Sequence, residues 1–572
     1  MKLSKIIIYQ IFTRLFGNTL QTNKPFGTKE ENGTGKFNDI TPEALVSLRE
    51  LGVTHVWYTG IIAHATLTDY TADGLPSDHY SLVKGRAGSP YAIKDYYDIA
   101  PDLAQDVTKR MEEFESLVAR THQQELKVLI DFIPNHVARS YKSLAKPEGV
   151  EDFGETDNIH QAFSPQNNFY YLPGSTYTSP KGAAIKALKN TEETYRETPA
   201  KATGNDCFSP HPSVYDWYET IKLNYGVDYQ HGGSNHFDPL PGTWLKMRDI
   251  LLFWASKKVD GFRCDMAEMV PVAFWGWVIP QVKAKYPELI FIAEAYHPEQ
   301  QMPLIQEGHF DYLYDKTGIY DTLHAILTQH RPVSLINDYY HQSQPLHQHL
   351  VGFLENHDEP RLASKSFAQS AQAGIPAMTV TATLHQGPVL LYFGQEVGEP
   401  AEGTQGFSQE DGKTSIYDYC GVPEHQKWMN GGLFDGGLLT QQQIALRNFY
   451  QTLLNVCKDS PAIQQGEMYP LTCTSAGNTT PFVYTYLRVH SQETIGIVAN
   501  FHQSLSEIVR IRTEEEHFHQ VFRSDRSYIF TDILGSGKTL NLPGKQLIHP
   551  GITLVLKPSD AFIFRIEERE SK

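Results

Sequence analysis

The sequence is short of the features that mark several large classes of protein. Its 572 residues include only five cysteines (Cys207, Cys264, Cys420, Cys457 and Cys473), odd in number, dispersed and without a Cys-x-x-Cys pair. They read as free thiols of a reducing compartment, not as a disulfide or zinc framework. No apolar stretch is long enough to cross a bilayer, so no membrane partner is expected. The apolar run after Lys5 is short, is interrupted by Tyr9, Gln10 and Arg14, and no small-residue cleavage site follows it. It reads as a first strand and not as a signal peptide, which makes a cytoplasmic location the expectation. Positive charge is also scarce: 49 Lys and Arg stand against 66 Asp and Glu, a net charge of −17, with no basic run. A nucleic-acid partner is therefore excluded, because such binding rests on cations that neutralise phosphates. Internal repeats and low-complexity tracts are missing too. Nothing in the sequence sets an oligomeric state.

What is present is ordinary soluble-protein composition, 40% hydrophobic and 20% charged, with aromatics on the rich side at 12%. Aromatic faces suit sugar rings, but they suit large cores equally. The length allows two or three domains, one of which can be a large α/β barrel. Short apolar, β-branched runs alternate with longer helical patterns. Lys5–Phe12 reads as a strand, and Thr41–Leu51 as a helix with Thr41 as N-cap, Pro42 in its first turn and Gly52 past its end. Strands are expected at Val53–Thr59, Lys127–Ile133, Val259–Cys264, Leu289–Ala293, Phe310–Tyr314, Leu350–Leu354 and Gly387–Phe393. Helices are expected at Asp106–Leu126, Thr243–Lys257 and Phe274–Tyr286. Eight strands with right-handed crossovers point to a (β/α)8 TIM barrel, with a doubly wound open sheet as the alternative. Two stretches break the alternation. Residues 137–224 are polar and rich in Pro, Gly, Ser and Tyr, and read as an inserted B domain after strand 3. Residues 461–572 carry strand-like runs parted by turn residues, and read as a C-terminal antiparallel β-sandwich domain. The barrel itself then comprises residues 1–136 and 225–460.

Barrel enzymes place their chemistry at the C-terminal ends of strands. Strand 3 ends in Asp131-Phe-Ile-Pro-Asn135-His136, strand 4 in Gly261-Phe-Arg263-Cys-Asp265, strand 5 in Ala293-Glu294-Ala295-Tyr296, and strand 7 leads to Glu355-Asn-His357-Asp358. One Asp after a strand is usually a turn residue or helix cap. Four clusters in phase with a barrel are not explained by capping.

These four segments, DxxxNH, GxRxD, a glutamate on the next strand, and NHD, resemble the α-amylase superfamily of glycoside hydrolases (glycoside hydrolase family 13). The resemblance runs from the first strand through the insertion to the C-terminal β-domain. It implies a retaining glycoside hydrolase acting on α-glucosidic bonds, α-1,4 in the first instance, of starch, maltodextrin or malto-oligosaccharides. A glucanotransferase, maltosyltransferase or trehalose-forming isomerase of the same family is the alternative. By the match Asp265 is the nucleophile, Glu294 the acid and base, and Asp358 the carboxylate that stabilises the transition state. Chemistry agrees, since retention needs a carboxylate nucleophile and a carboxylic acid flanking the bond. Arg263, two residues from Asp265 along a strand, faces the same way and can keep it ionised. The match further implies that His136 and His357 bind hydroxyls of the reacting sugar, that Tyr91 (in Ser-Pro-Tyr91-Ala-Ile-Lys-Asp95) stacks beneath it, and that Arg361 contacts it.

One departure puts in doubt a leaving-side sugar contact and one backbone ligand of the family's structural calcium. Starch-cleaving members often carry Lys-His three and four residues after the nucleophile, where this chain has Glu268 and Met269. Asn135 occupies a calcium-ligand position of the motif, but a calcium ion wants six to eight oxygens and no such set is legible here. The chemistry itself requires no cofactor. Gly535-Ser-Gly537-Lys538-Thr539 has the tail of a phosphate loop without its first glycine, and reads as a turn. His341, His347 and His349 lie in a Gln-rich polar segment without ligand spacing. A non-catalytic sugar-binding relative would be expected to have lost one of the three carboxylates. A metal-dependent barrel hydrolase would want several histidines converging on one strand end.

Overall fold

The computed structural model describes residues 5–181, 194–403, 406–407, 409–513 and 520–570. Eight parallel strands form the central sheet: β1 (Ile7–Phe12), β2 (His55–Thr59), β3 (Lys127–Phe132), β4 (Gly261–Cys264), β5 (Ile290–Ala293), β6 (Tyr312–Tyr314), β7 (Leu350–Val351) and β8 (Val389–Tyr392). Their spatial order is β7-β6-β5-β4-β3-β2-β1-β8. A single parallel bridge from Gly352 to Val389 joins the last pair and closes the ring. The alternation of strands and helices is thus the expected TIM barrel, not an open sheet. Both faces of these strands are covered, which is why they read as near-continuous apolar runs; all six residues of β1 are buried. Strands β6 and β7 are shorter than their apolar runs.

Local rules account for the helices around the ring. Helix α1 (Pro42–Leu51) starts where the Thr41 side chain accepts from the Ala44 amide and stops at Gly52, whose φ of 109° suits glycine. Helix α2 (Arg110–Gln123) buries Phe114, Leu117 and Val118. Helices α3 (Gly242–Ser256) and α4 (Val272–Lys285) follow the insertion and β4.

The insertion after β3 is built from short two-stranded pairings. Thr220–Lys222 runs antiparallel to His136–Ala138, with Lys222 opposite His136. This folds the far end of the insertion back against the residue that leads into it.

After helix α5 (Gln441–Asp459) come β9 (Glu467–Ser475), β10 (Val483–His490), β11 (Glu493–Asn500), β12 (Glu507–Thr513), β13 (Arg526–Asp532), β14 (Thr539–Pro543), β15 (Ile552–Leu556) and β16 (Ala561–Glu570). They form one antiparallel sheet, ordered β14-β13-β16-β11-β10-β9-β12-β15. Strand β9 pairs with β10 through residues 467–470 and with β12 through residues 471–474. The two halves of the sheet fold around one core that includes Val483, Val509, Phe530, Leu554 and Phe564. Gly535–Lys538 falls between β13 and β14 and is a hairpin turn. Buried Arg488 fixes the sheet to the barrel by donating to the carbonyls of Leu384, Ala462 and Ile463.

Candidate active site

The strand ends bring their polar groups to one rim. Arg263 is its centre: it lies on β4, buried, with its guanidinium within 5.4–5.5 Å of the ring centroids of Trp57, Tyr91 and Tyr314. Such caging removes water and fixes the fork. Nη1 donates to Asp265 Oδ1 at 2.7 Å, Nη2 makes an ion-pair contact with Glu294 Oε1 at 2.7 Å, and Asp131 Oδ1 stands 3.6 Å from Nη1. One cation therefore spans the carboxylates that end β4 and β5. Glu294 also accepts from the Met266 amide at 2.7 Å and from the Tyr296 hydroxyl at 2.8 Å. Those donors aim its carboxyl across the rim.

Burial and the charge of Glu294 push the Asp265 carboxyl well above the usual range, against the pull of Arg263. Asp131, buried and held by the Trp57 indole N–H at 3.1 Å, is raised to about 6 by desolvation, with Arg263 opposing. Asp358 goes the other way. Burial would raise it, but the charge and hydrogen bond of His357, 2.9 Å away, carry it down to about 2. It remains a carboxylate throughout the physiological range.

His357 is itself fixed from three directions. Gln10 of β1 meets its Nδ1 at 2.8 Å, the Tyr91 hydroxyl meets its Nε2 at 2.5 Å, and the Tyr91 ring stacks on it at 5.2 Å. His136 lies beside Trp217, ring centroids 5.1 Å apart, and burial with nearby Lys222 and Lys84 lowers it to about 3. It is neutral and able to exchange hydrogen bonds with a hydroxyl. A pocket of about 360 Å³ opens among Asp265, Glu294, Asp358, Tyr91, His136 and Tyr296. Its walls add Lys84, Trp217, Glu219, Lys413 and Tyr417.

Two sequence-derived assignments need correction. Arg361 does not reach the pocket. It is fully buried, donating to Thr414 at 2.8 Å, to Glu355 at 3.0 Å and to the Phe393 carbonyl at 2.8 Å. A buried carboxylate two residues before the motif histidine demanded a cation, and Arg361 answers it. Asn135 does not offer a calcium site. Its side-chain oxygen accepts from the Lys222 ammonium at 2.9 Å, and that ammonium also pairs with Asp206 at 2.5 Å. An oxygen facing an ammonium is not available to a divalent cation, so these residues do not fit the ion.

Reasoning from sequence passed over Tyr296, although it stands two residues from Glu294 on the same segment. It also passed over Gln10, Trp57 and Tyr314, which look like plain strand residues. Lys84, Trp217 and Tyr417 come from loops without a motif. His347 and His349 are bonded to the carbonyls of Tyr340 and Asp311 just before β7, at the other end of the barrel from the rim.

Comparison with known proteins follows the same lines. The alpha amylase catalytic-domain family model matches residues 10–416. Alpha-amylase MalA of Haloarcula japonica is 25% identical over 396 residues, covering 69% of this chain and 44% of that protein. Alpha-amylase 3 of Dictyoglomus thermophilum is 22% identical over 484 residues, covering 81% and 79%. Alpha-1,4-glucan:maltose-1-phosphate maltosyltransferase of Cereibacter sphaeroides is 39% identical over 92 residues, covering 15% and 16%. Among solved structures, the alpha-amylase of Geobacillus thermoleovorans complexed with acarbose superposes with a TM-score of 0.62 at 17% identity, covering 99% of this chain and 98% of that one. At that identity the likeness concerns the fold.

Proposed function

The chain belongs to the α-amylase family, and from that premise we propose that it is a retaining glycosidase that cleaves α-1,4-glucosidic bonds of malto-oligosaccharides and related α-glucans. The observation that carries this reading is the single Arg263 fork joining Asp265 to Glu294, with Asp358 held ionised beside His357. A shared guanidinium keeps the first two carboxyls close, which supports the double displacement in which they flank one bond at about 5–5.5 Å.

In that reaction Asp265, as carboxylate, attacks the anomeric carbon while Glu294 protonates the departing glycosidic oxygen. A covalent glycosyl-enzyme forms on Asp265. Glu294, now ionised, takes a proton from water, which attacks the same carbon and releases the sugar with its configuration retained. Asp358 stabilises the oxocarbenium character that develops in each step, and the Tyr91 ring gives the sugar a flat floor. Residue His136 binds a hydroxyl in its neutral form. No step passes through a metal.

A transferase in which a sugar hydroxyl replaces water uses the same groups. The short, more similar stretch shared with the Cereibacter sphaeroides maltosyltransferase supports keeping that second reading. One experiment separates the two. Purified protein is incubated with maltohexaose beside an Asp265→Ala control, and the products are sized by chromatography. Shorter sugars alone, missing from the control, are the expected result. Longer sugars beside shorter ones make the enzyme a transferase, and turnover surviving in the control refutes the mechanism.

A further inference from the structure

The rim has two ends. Glu294 ends β5 and Tyr296 follows it, so the leaving group departs on the β5 side. In the order β7-β6-β5-β4-β3-β2-β1-β8, β1 lies farthest around the closed ring from β5. The glycon, whose anomeric carbon meets Asp265, must therefore extend its non-reducing side toward β1.

That end is shut by loops following β2, β3 and β8. The Ala87 amide, after β2, donates to the Tyr417 carbonyl, after β8, at 3.0 Å. Arg14 rises from the end of β1 beneath this joint and is buried. Its guanidinium donates to the Ile416 carbonyl at 2.6 Å and to the carbonyls of Ala87 at 3.3 Å and Gly88 at 3.4 Å. One side chain thus bolts both loops together. The two loops touch at Gly85, where a Cβ, on a backbone of φ +66°, would stand 2.1 Å from the Tyr417 carbonyl oxygen. Farther out, the Tyr419 hydroxyl donates to Asp102 at 2.7 Å. The insertion after β3 joins through Lys84 and Glu219, 2.8 Å apart with side chains 11% and 4% exposed. Lys84, Glu219, Ile416 and Tyr417 are also walls of the pocket. Its volume of about 360 Å³ lies near the low end of small-molecule sites, about 300–1,000 Å³.

We infer that the cleft is blind at its β1 end, so that the enzyme reads chain ends: it accepts the non-reducing terminus of an α-glucan and releases a short glycon of fixed length. The joint consists of a backbone hydrogen bond, a buried guanidinium bonded to three carbonyls and a buried ion pair, which cannot part for a passing chain at low cost. The inference rests on the glycosidase reading above and adds the class of substrate to it.

The test uses 4-nitrophenyl maltoheptaoside, free or with its non-reducing glucose blocked as a 4,6-O-ethylidene acetal, and α-glucosyl fluoride as a control. The free heptaoside should lose one glycon size from the earliest time points. The blocked one should turn over about 100-fold more slowly, or about 3 kcal/mol at 1.4 kcal/mol per factor of ten. Blocked and free substrates cleaved at similar rates, or a ladder of early products, overturns the blind end and leaves the glycosidase standing. Failure of all three sugars to react removes the glycosidase reading and this inference with it.

Discussion

The Lys222 ammonium faces the Asn135 oxygen that was expected to bind calcium, and Lys222→Met tests what it does there. The lysine side chain is 1% exposed, and burial lowers its pKa against the pull of Asp206. Methionine keeps most of the stem's volume and removes the charge. Asp206, whose side chain is 44% exposed, recovers water, so its lost partner counts for little. Asn135 does not recover: it is 1% exposed, and its oxygen loses the Lys222 hydrogen bond. An unsatisfied buried acceptor costs about 1–3 kcal/mol. At about 2–4 °C per kcal/mol for a large domain, a loss near 2 kcal/mol lowers the Tm by about 4–8 °C. Because Lys222 stands opposite His136 in the ladder, activity should fall alongside. The assay is differential scanning calorimetry of both proteins, in EDTA and in millimolar calcium. Wild type should melt at one temperature in both buffers. A ligand that binds only the folded state raises the Tm by mass action, so a calcium-dependent rise in wild type would refute the reasoning. An unchanged Tm in Lys222→Met would refute it equally.

Other consequences concern the charges around the rim. Burial and Glu294 raise the Asp265 carboxyl and Arg263 opposes them, so Arg263→Lys, which keeps the charge but cannot fork across both carboxylates, should raise it further. The nucleophile must be ionised, hence the acid limb of the kcat/KM profile moves to higher pH, by about 1 unit on the scale of Arg–Asp effects; an unmoved limb contradicts the pairing. Arg361→Met removes the partner of buried Glu355 and should cost about 3–5 kcal/mol near pH 8 in urea melts. Burial already raises Glu355 to about 7, with Arg361 opposing. Losing Arg361 raises Glu355 further, so the variant's extra penalty is full only above its own higher pKa, fades as pH falls toward about 7, and is gone once both proteins carry the proton. The variant's deficit should therefore shrink at pH 5, and a pH-independent deficit rules the explanation out.

Much of this molecule is legible in the sequence because its barrel strands are apolar runs covered on both faces, and because Asp265 and Glu294 stand directly after strand ends while Asp358 follows β7 within seven residues. There, position along the chain fixes position on the rim. Arg361 shows where that logic stops. Its spacing from Asp358 fits a sugar contact, but the neighbouring Glu355 is buried and draws the guanidinium inward. Lys222 lies 87 residues from Asn135, and Arg14 lies 402 from Ile416. Pairings at that separation depend on how loops cross above the ring, which local propensity does not encode. Tyr296 was within reach of sequence reasoning, since alternate residues share a face of an extended segment.

The ring's closure also says where it first comes apart. Strands β1 and β2 are joined over five residue pairs, whereas β7 has two pairs with β6 and one bridge to β8. Here the ring has the fewest ladder pairs to lose, although Leu350, Val351, Phe353 and Leu354 are buried, so this seam is where local opening is expected first. The segment that peels away leads straight into His357 and Asp358. On heating, activity should therefore be lost before the far-ultraviolet circular dichroism of the chain, and coincident losses would refute this account of the seam.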